Sequence, residues 1–339
     1  MSAGQVKPTA KFESYRLDIE KRLKASNKRV KEYAAYQKKL IEQSCFIELN
    51  GTVHHYHDSG PRDAKDVVVL IHGWDCWWMW WHKVIGVLNE QGIRTIAYDL
   101  KGHGWSDDDH VEDYSLSSYS KDLRCFVSAL GLTRYHIAAF SLGPFIALDY
   151  AMQYEQDIAT MTFFNFGYFP NSPFLSKFIP IFLPLVFDKV LRKIKWWPPL
   201  YLYARITLAR NPATREDIII GVDSLKFISS EAIRQTAEQI SQIEVTENLP
   251  TQVAQIKTPI LFVAGKGDQV VMWKNTQKLY EFAANGRFVV IKKCGHLITI
   301  ELPQRTAELI AENILFNAQS QASSNNESSH GERNPVAKL

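Results

Sequence analysis

Ser141 lies in the stretch AAFSLGPFIALDY, between an apolar run that reads as a strand (HIAAF) and one that reads as a helix (LGPFIALDYAM). A serine on so sharp a strand-to-helix turn presents its hydroxyl away from the backbone, at the positive end of the helix. The flanking positions must be small, because strand and helix pack closely there. Gly143 meets that need, and Ala139 stands where a second glycine is expected. Pro144 suits the first helical turn, where its missing N–H has no partner to lose. Taken alone, the turn also fits an ordinary serine near a helix start.

A serine hydroxyl becomes a nucleophile when a base takes its proton and a third group holds that base. In a parallel sheet the loops after different strands meet at one edge, so the partners are sought just after strands. LFVAGKGD places Asp268 there, and FVVIKKCGH places His296 after the following strand. Of the other histidines, His54, His55 and His57 fall in an early hairpin, His136 inside a strand and His330 in the tail. His82 and His110 lack a matching acid after a strand. After the strand TMTFFNF stand Asn165 and Gly167 rather than an acid. The expected set is Ser141 as nucleophile, His296 as base and Asp268 as the acid that holds it. A developing oxyanion needs two converging backbone N–H groups, and these are expected from Leu142 and Trp74. His72 and Gly73 would shape the turn that carries Trp74, and Cys294 reads as a packing residue.

The elements that must position these groups alternate along the chain. CFIELNG and TVHHYHD form a hairpin turning at Asn50-Gly51. Continuous apolar strands then alternate with helices, which implies a parallel sheet covered on both faces. The alternation breaks over residues 169–240, a stretch rich in Pro, Phe, Trp, Leu and Lys that reads as a helical insertion over the sheet. The chain divides into a basic N-terminal helical extension (1–44), a first core segment (45–168), the insertion or cap (169–240), a second core segment (241–318) and a Ser/Asn/Gln-rich tail expected to be disordered (319–339). Within the extension, residues 11–40 read as one helix with a net charge of +6, against +3 for the whole chain of 339 residues.

HGW at His72, YDLKGHGWSD from Tyr98, the serine turn, GKGD ending at Asp268 and GH at His296 occur in order over residues 45–317. In this set the chain resembles the α/β-hydrolase superfamily, in its capped lipase- and esterase-like branch. The resemblance implies a mostly parallel central sheet with helices on both faces and a helical cap. It implies the roles already given to Ser141, Asp268 and His296. Branches of the family that open carbon–halogen bonds or epoxides carry Asp where this chain has Ser141.

Five of the eight residues from Trp74 to Trp81 are tryptophan. Trp77, Trp78, Phe140, and Trp196 and Trp197 of the insertion are the candidate substrate-binding residues. For each indole from Trp74 to Trp81, packing between sheet and insertion is the commoner reading. The insertion interleaves Phe, Leu and Trp with Lys189, Arg192, Lys193 and Lys195, which suits a lid over an apolar pocket, a lipid surface, or packing within its own domain. The N-terminal helix fits surface binding, a solvated face or an oligomer contact. The expected substrate is a small lipophilic ester or thioester, with no metal or cofactor needed. A carbon–carbon hydrolase of a dioxo acid and a non-catalytic binding protein are the alternatives.

The small net charge argues against a nucleic-acid partner. The four scattered cysteines suit free thiols in a reducing compartment. No signal peptide pattern is seen, and the longest apolar run is about half of the roughly 20 residues a membrane span needs. A cytoplasmic enzyme is expected, with peripheral membrane contact through the N-terminal helix and the cap.

Overall fold

A computed structural model describes residues 6–168, 173–194, 202 and 206–330. The two candidate residues Trp196 and Trp197 lie outside them. After two helices, α1 (Ala10–Leu23) and α2 (Lys28–Ile41), come β1 (Ser44–Leu49), β2 (Thr52–Ser59), β3 (Val67–Ile71), α3 (His82–Glu90), β4 (Arg94–Tyr98), α4 (Leu116–Ala129), β5 (Tyr135–Phe140), α5 (Gly143–Tyr154) and β6 (Ile158–Phe164). After β6 come α6 (Pro173–Leu185), a π-helical turn (Val186–Leu191), α7 (Arg215–Phe227) and α8 (Ser230–Ser241), in the segment read from the sequence as an insertion. Then come α9 (Ile243–Gln255), β7 (Ile260–Gly265), α10 (Trp273–Tyr280), β8 (Gly286–Ile291) and α11 (Pro303–His330).

The eight strands make one sheet in the order β1-β2-β4-β3-β5-β6-β7-β8. Its first two pairings are antiparallel, and β4 to β8 run parallel. The fold is that of an α/β-hydrolase. The β1–β2 hairpin turns at Asn50 (φ 49°) and Gly51 (φ 84°), the two positive angles that a tight hairpin turn demands. Every residue of β5, β6 and β7 is buried. This is why these strands read as unbroken apolar runs, with helices covering both faces. One apolar layer joins the sheet to α4, α5 and α9, and the other joins it to α1, α2, α3, α11 and the tryptophans.

The single N-terminal helix expected over 11–40 is two helices. Asn27 breaks it: its side chain accepts from the Arg29 and Val30 N–H groups and caps the second helix. Phe12, Tyr15, Ile19, Ala34 and Ile41 are buried in the main core, while Arg16, Lys21, Lys24, Lys28, Lys31, Lys38 and Lys39 face solvent. The apolar side of the extension is thus occupied by the domain itself. α11 also differs from expectation. It continues to His330 through the first part of the segment expected to be disordered, because neither Gly nor Pro interrupts the chain between Pro303 and Gly331. Among the described residues, no helix is long and apolar enough to cross a membrane.

Candidate functional site

β5 ends at Phe140, and the next residue, Ser141, takes φ 56° in the left-handed region. For a residue with a Cβ this is a strained turn, held by a 3.0 Å hydrogen bond from the Ser141 N–H to the Phe164 carbonyl at the end of β6. α5 begins at Gly143 with Pro144 in its first turn. A Cβ on Gly143 would lie 2.8 Å from the Ile71 carbonyl oxygen and 3.2 Å from the Ala139 Cβ. The turn therefore needs a bare Cα at Gly143, and with Gly143 bare the Ala139 methyl fits. The loop after β3 passes equally close, since a Cβ on Gly73 would meet the Phe140 ring at 2.8 Å and the Ser141 Cβ at 3.1 Å.

His296 Nε2 lies 3.1 Å from Ser141 Oγ, and His296 Nδ1 lies 2.8 Å from Asp268 Oδ2. The other carboxylate oxygen, Asp268 Oδ1, accepts hydrogen bonds from the Val270 and Val271 N–H groups at 2.7 and 2.9 Å. Asp268 is buried and His296 nearly so, at 7% exposure. The structure brings together these three residues from the ends of β5, β7 and β8. Leu142 and Trp74, expected to donate to an oxyanion, flank Ser141 and Gly73. Neither backbone N–H donates a hydrogen bond among the described residues.

His72 is structural. Its Nδ1–H donates to the Gly73 carbonyl at 2.8 Å and its Nε2 accepts from the Leu100 N–H at 3.1 Å. Burial pushes its pKa down, in keeping with a neutral ring. Cys294 is buried, and burial pushes its thiol well above the ordinary range, which disfavours the reactive thiolate.

Two of the expected substrate-binding residues are placed elsewhere. Trp77 is fully buried, donates its indole N–H to the Ile220 carbonyl at 3.2 Å, and packs against Tyr15, Trp105 and Phe227. Trp78 is also fully buried and stacks on His57 with ring centroids 4.4 Å apart. After Asp75 (φ 57°) the chain turns into the apolar layer beneath the N-terminal helices, and both indoles go with it. Phe140 lies 5.2 Å from the His296 ring with Trp80 stacked behind it at 6.5 Å, but both are buried, so Phe140 packs beneath the histidine rather than lining an open pocket. Trp74 is half-buried under the insertion. Its indole N–H donates to Thr236 Oγ1 at 2.9 Å, and its ring meets Phe187 edge-on at 4.6 Å.

The sequence reading missed the groups that hold the histidine loop. Asn165 (φ 49°, fully buried) donates from Nδ2 to the Gly295 and His296 carbonyls at 3.1 and 2.5 Å, and its Oδ1 accepts from the Gly265 N–H at 2.9 Å. Glu301 accepts from the Gly295, Arg210 and Asn211 N–H groups at 2.9, 2.6 and 2.8 Å. The His296 N–H donates to the Leu208 carbonyl at 2.7 Å. All these bonds run to or from backbone atoms, so no spacing in the sequence announces them.

Residues 62–303 match the family model described as serine aminopeptidase, S33. The mouse monoacylglycerol lipase ABHD6 is 23% identical over 266 residues, covering 76% of this chain and 78% of its own. A membrane phospholipase A described as a bacterial virulence factor superposes with a TM-score of 0.70 at 17% identity, over 91% of this chain and 97% of its own. The esterase EaEST from Exiguobacterium antarcticum gives 0.64 at 21% identity, over 79% and 98%. With the match spanning most of the chain and the fold shared throughout, this protein belongs to the S33 serine aminopeptidase family of the α/β-hydrolase superfamily.

Proposed function

We propose that the protein is a serine hydrolase that cleaves an ester or thioester of a lipophilic acyl group through an acyl-enzyme. The observation that carries this reading is the unbroken line of hydrogen bonds from Ser141 Oγ through the His296 ring to Asp268, at a strained serine with two unengaged backbone N–H groups beside it. His296 Nε2 takes the hydroxyl proton as Ser141 Oγ attacks the acyl carbonyl. Asp268, fixed by the Val270 and Val271 N–H groups, keeps the ring in the tautomer that carries its proton on Nδ1 and balances the imidazolium. The Leu142 and Trp74 N–H groups stabilise the tetrahedral oxyanion. The imidazolium then gives its proton to the departing alcohol or thiol. Water attacks the acyl-enzyme with His296 again as base, and the acid leaves.

The half-buried Trp74–Phe187 contact supplies apolar surface beside the serine. The similarity to proteins named as a lipase, a phospholipase and an esterase supports an acyl ester. A fluorophosphonate probe and a series of nitrophenyl esters test the reading. The wild type is expected to be labelled and to prefer medium or long acyl chains, and Ser141→Ala to do neither. Folded wild type that is never labelled overturns it in favour of a binding protein. Turnover of a ring-fission dienoate without ester turnover overturns it in favour of carbon–carbon cleavage.

A further inference from the structure

Helix α6 carries an apolar face that no described residue covers. Phe174, Phe178, Ile181, Phe182 and Leu185 are 71, 45, 72, 49 and 53% exposed. Their spacing of three and four residues puts them on one side of the helix. Three of the rings form a ladder, with Phe174 on Phe178 at 5.6 Å and Phe178 on Phe182 at 5.1 Å. Soluble proteins tolerate single exposed apolar side chains, but a contiguous ridge of five marks an interaction surface.

We infer that this ridge docks the protein on an anionic lipid surface, laying the insertion against the layer from which an acyl substrate is drawn. The inference rests on the proposed function for the substrate and adds the surface that meets it. Three observations select a membrane as the occupant. The first is charge. Residues 169–187 contain no acidic residue, and Lys177, Lys189, Arg192 and Lys193 stand against Asp188 alone in residues 173–194. Lys177 is exposed within the α6 face, where a long side chain reaches a lipid phosphate while its neighbours enter the acyl layer. The second is continuity. The chain runs from α6 into Phe187, which lies on Trp74 beside the serine, so the ridge and the site share one piece of structure. The third is the N-terminal extension, the other candidate for surface binding. Its main apolar side chains, Phe12, Tyr15, Ile19, Ala34 and Ile41, are committed to the core, and its exposed apolar groups are the separate Leu17 and Tyr36, not a ridge.

Sedimentation of the full chain with vesicles tests this directly. The wild type is expected to pellet with vesicles of phosphatidylcholine and phosphatidylglycerol, and about tenfold less with phosphatidylcholine alone. The double variant Phe178→Glu/Ile181→Glu, both at exposed positions, should lose about tenfold or more of the binding, with unchanged melting temperature and unchanged turnover of a soluble short-chain ester. The triple variant Lys21→Glu/Lys28→Glu/Lys31→Glu should bind as the wild type does. Absence of wild-type binding, equal binding by the α6 variant, or loss of binding in the N-terminal variant overturns the inference. So does a self-associating wild type that the α6 variant makes monomeric without any vesicle binding. Bound protein is the readout, so Ser141→Ala should pellet normally. An inactive protein that still binds counts against the proposed reaction and leaves the docking surface standing.

Discussion

Among the described residues, two serine–histidine–aspartate chains of hydrogen bonds stand out, and their distances are nearly the same. In one, Ser141 Oγ is 3.1 Å from His296 Nε2 and His296 Nδ1 is 2.8 Å from Asp268. In the other, Ser44 Oγ is 3.0 Å from His55 Nε2 and His55 Nδ1 is 2.7 Å from Asp99. Their surroundings differ. Ser44 sits in regular strand β1 opposite His57, whereas Ser141 sits at φ 56° before a helix. Asp99 also accepts from the Trp78 and Trp105 N–H groups, and the His55 ring is packed among Phe12, Phe46, Trp78 and Trp105. His55 and Asp99 are wholly buried. The second set binds the hairpin, the tryptophan loop and the glycine loop of YDLKGHGWSD into one unit. A Cβ on Gly104 would lie 2.3 Å from the Asp99 carboxylate, so that glycine has no substitute. Hydrogen-bond order is thus a poor mark of catalysis. The strained serine, and the N–H groups beside it that donate to none of the described residues, separate the two sets.

Substitution at the two serines is the strongest way to break this comparison. Ser141→Ala should lower kcat for a nitrophenyl ester by about 10⁵-fold or more, abolish probe labelling and leave the urea midpoint nearly unchanged. Ser44→Ala should keep labelling and kcat and cost about 1 kcal/mol of stability. Labelling at Ser44 in the Ser141→Ala background would erase the distinction. The acids come next. Asp268→Asn should cut kcat by about 10⁴-fold, because the amide favours the wrong histidine tautomer. Asp99→Asn should leave kcat/KM within a few-fold and destabilise by about 3 kcal/mol, since an amide N–H₂ then faces buried donors. Comparable kcat losses at both acids would mean that the second set also serves the reaction.

The same contrast shows what was legible in the sequence. Ser141, Asp268 and His296 each close an apolar strand, and loops after parallel strands share an edge, so their meeting could be read from the order of elements. Ser44, His55 and Asp99 meet across a hairpin register and an antiparallel pairing, which alternation alone does not specify. Trp77 and Trp78 were misplaced for a related reason. A run of indoles looks the same whether it lines a pocket or fills a core, and the positive φ at Asp75 that turns it inward leaves no signature. Asn165 was passed over as a non-acid at a position where an acid was sought, although its amide is what ties the histidine loop to β7.

Asn165 gives the next smaller test. Asn165→Ala removes three hydrogen bonds to backbone groups, two of them to the carbonyls of Gly295 and His296 itself. Loosening of the imidazole should lower kcat by about 10- to 100-fold with little change in KM, since a displacement of about 1 Å is enough for such a loss. If Asn165→Ala instead only lowers the urea midpoint, the amide is a structural tie like those around Asp99.

Acid titration sharpens the comparison from the side of the second set. His57 stacks on Trp78, whose N–H bonds Asp99, and burial pushes its pKa down to about 4. In the unfolded chain the value is about 6.5. Above that pH both states hold His57 neutral, and it contributes no pH dependence. As pH falls from about 6.5 towards 4 the unfolded state takes up a proton that the native ring refuses, so stability drops, and below about 4 the loss levels off. Between pH 7.5 and 5.5 this amounts to about 1 kcal/mol for one such histidine. His57→Phe preserves the stacking partner and should flatten that part of the urea-midpoint profile by about this amount, with the ester kcat at pH 7.5 unchanged. A profile as steep as the wild type's would place the acid sensitivity elsewhere, with His54, lowered to about 3 by burial against Tyr98, the next group to replace.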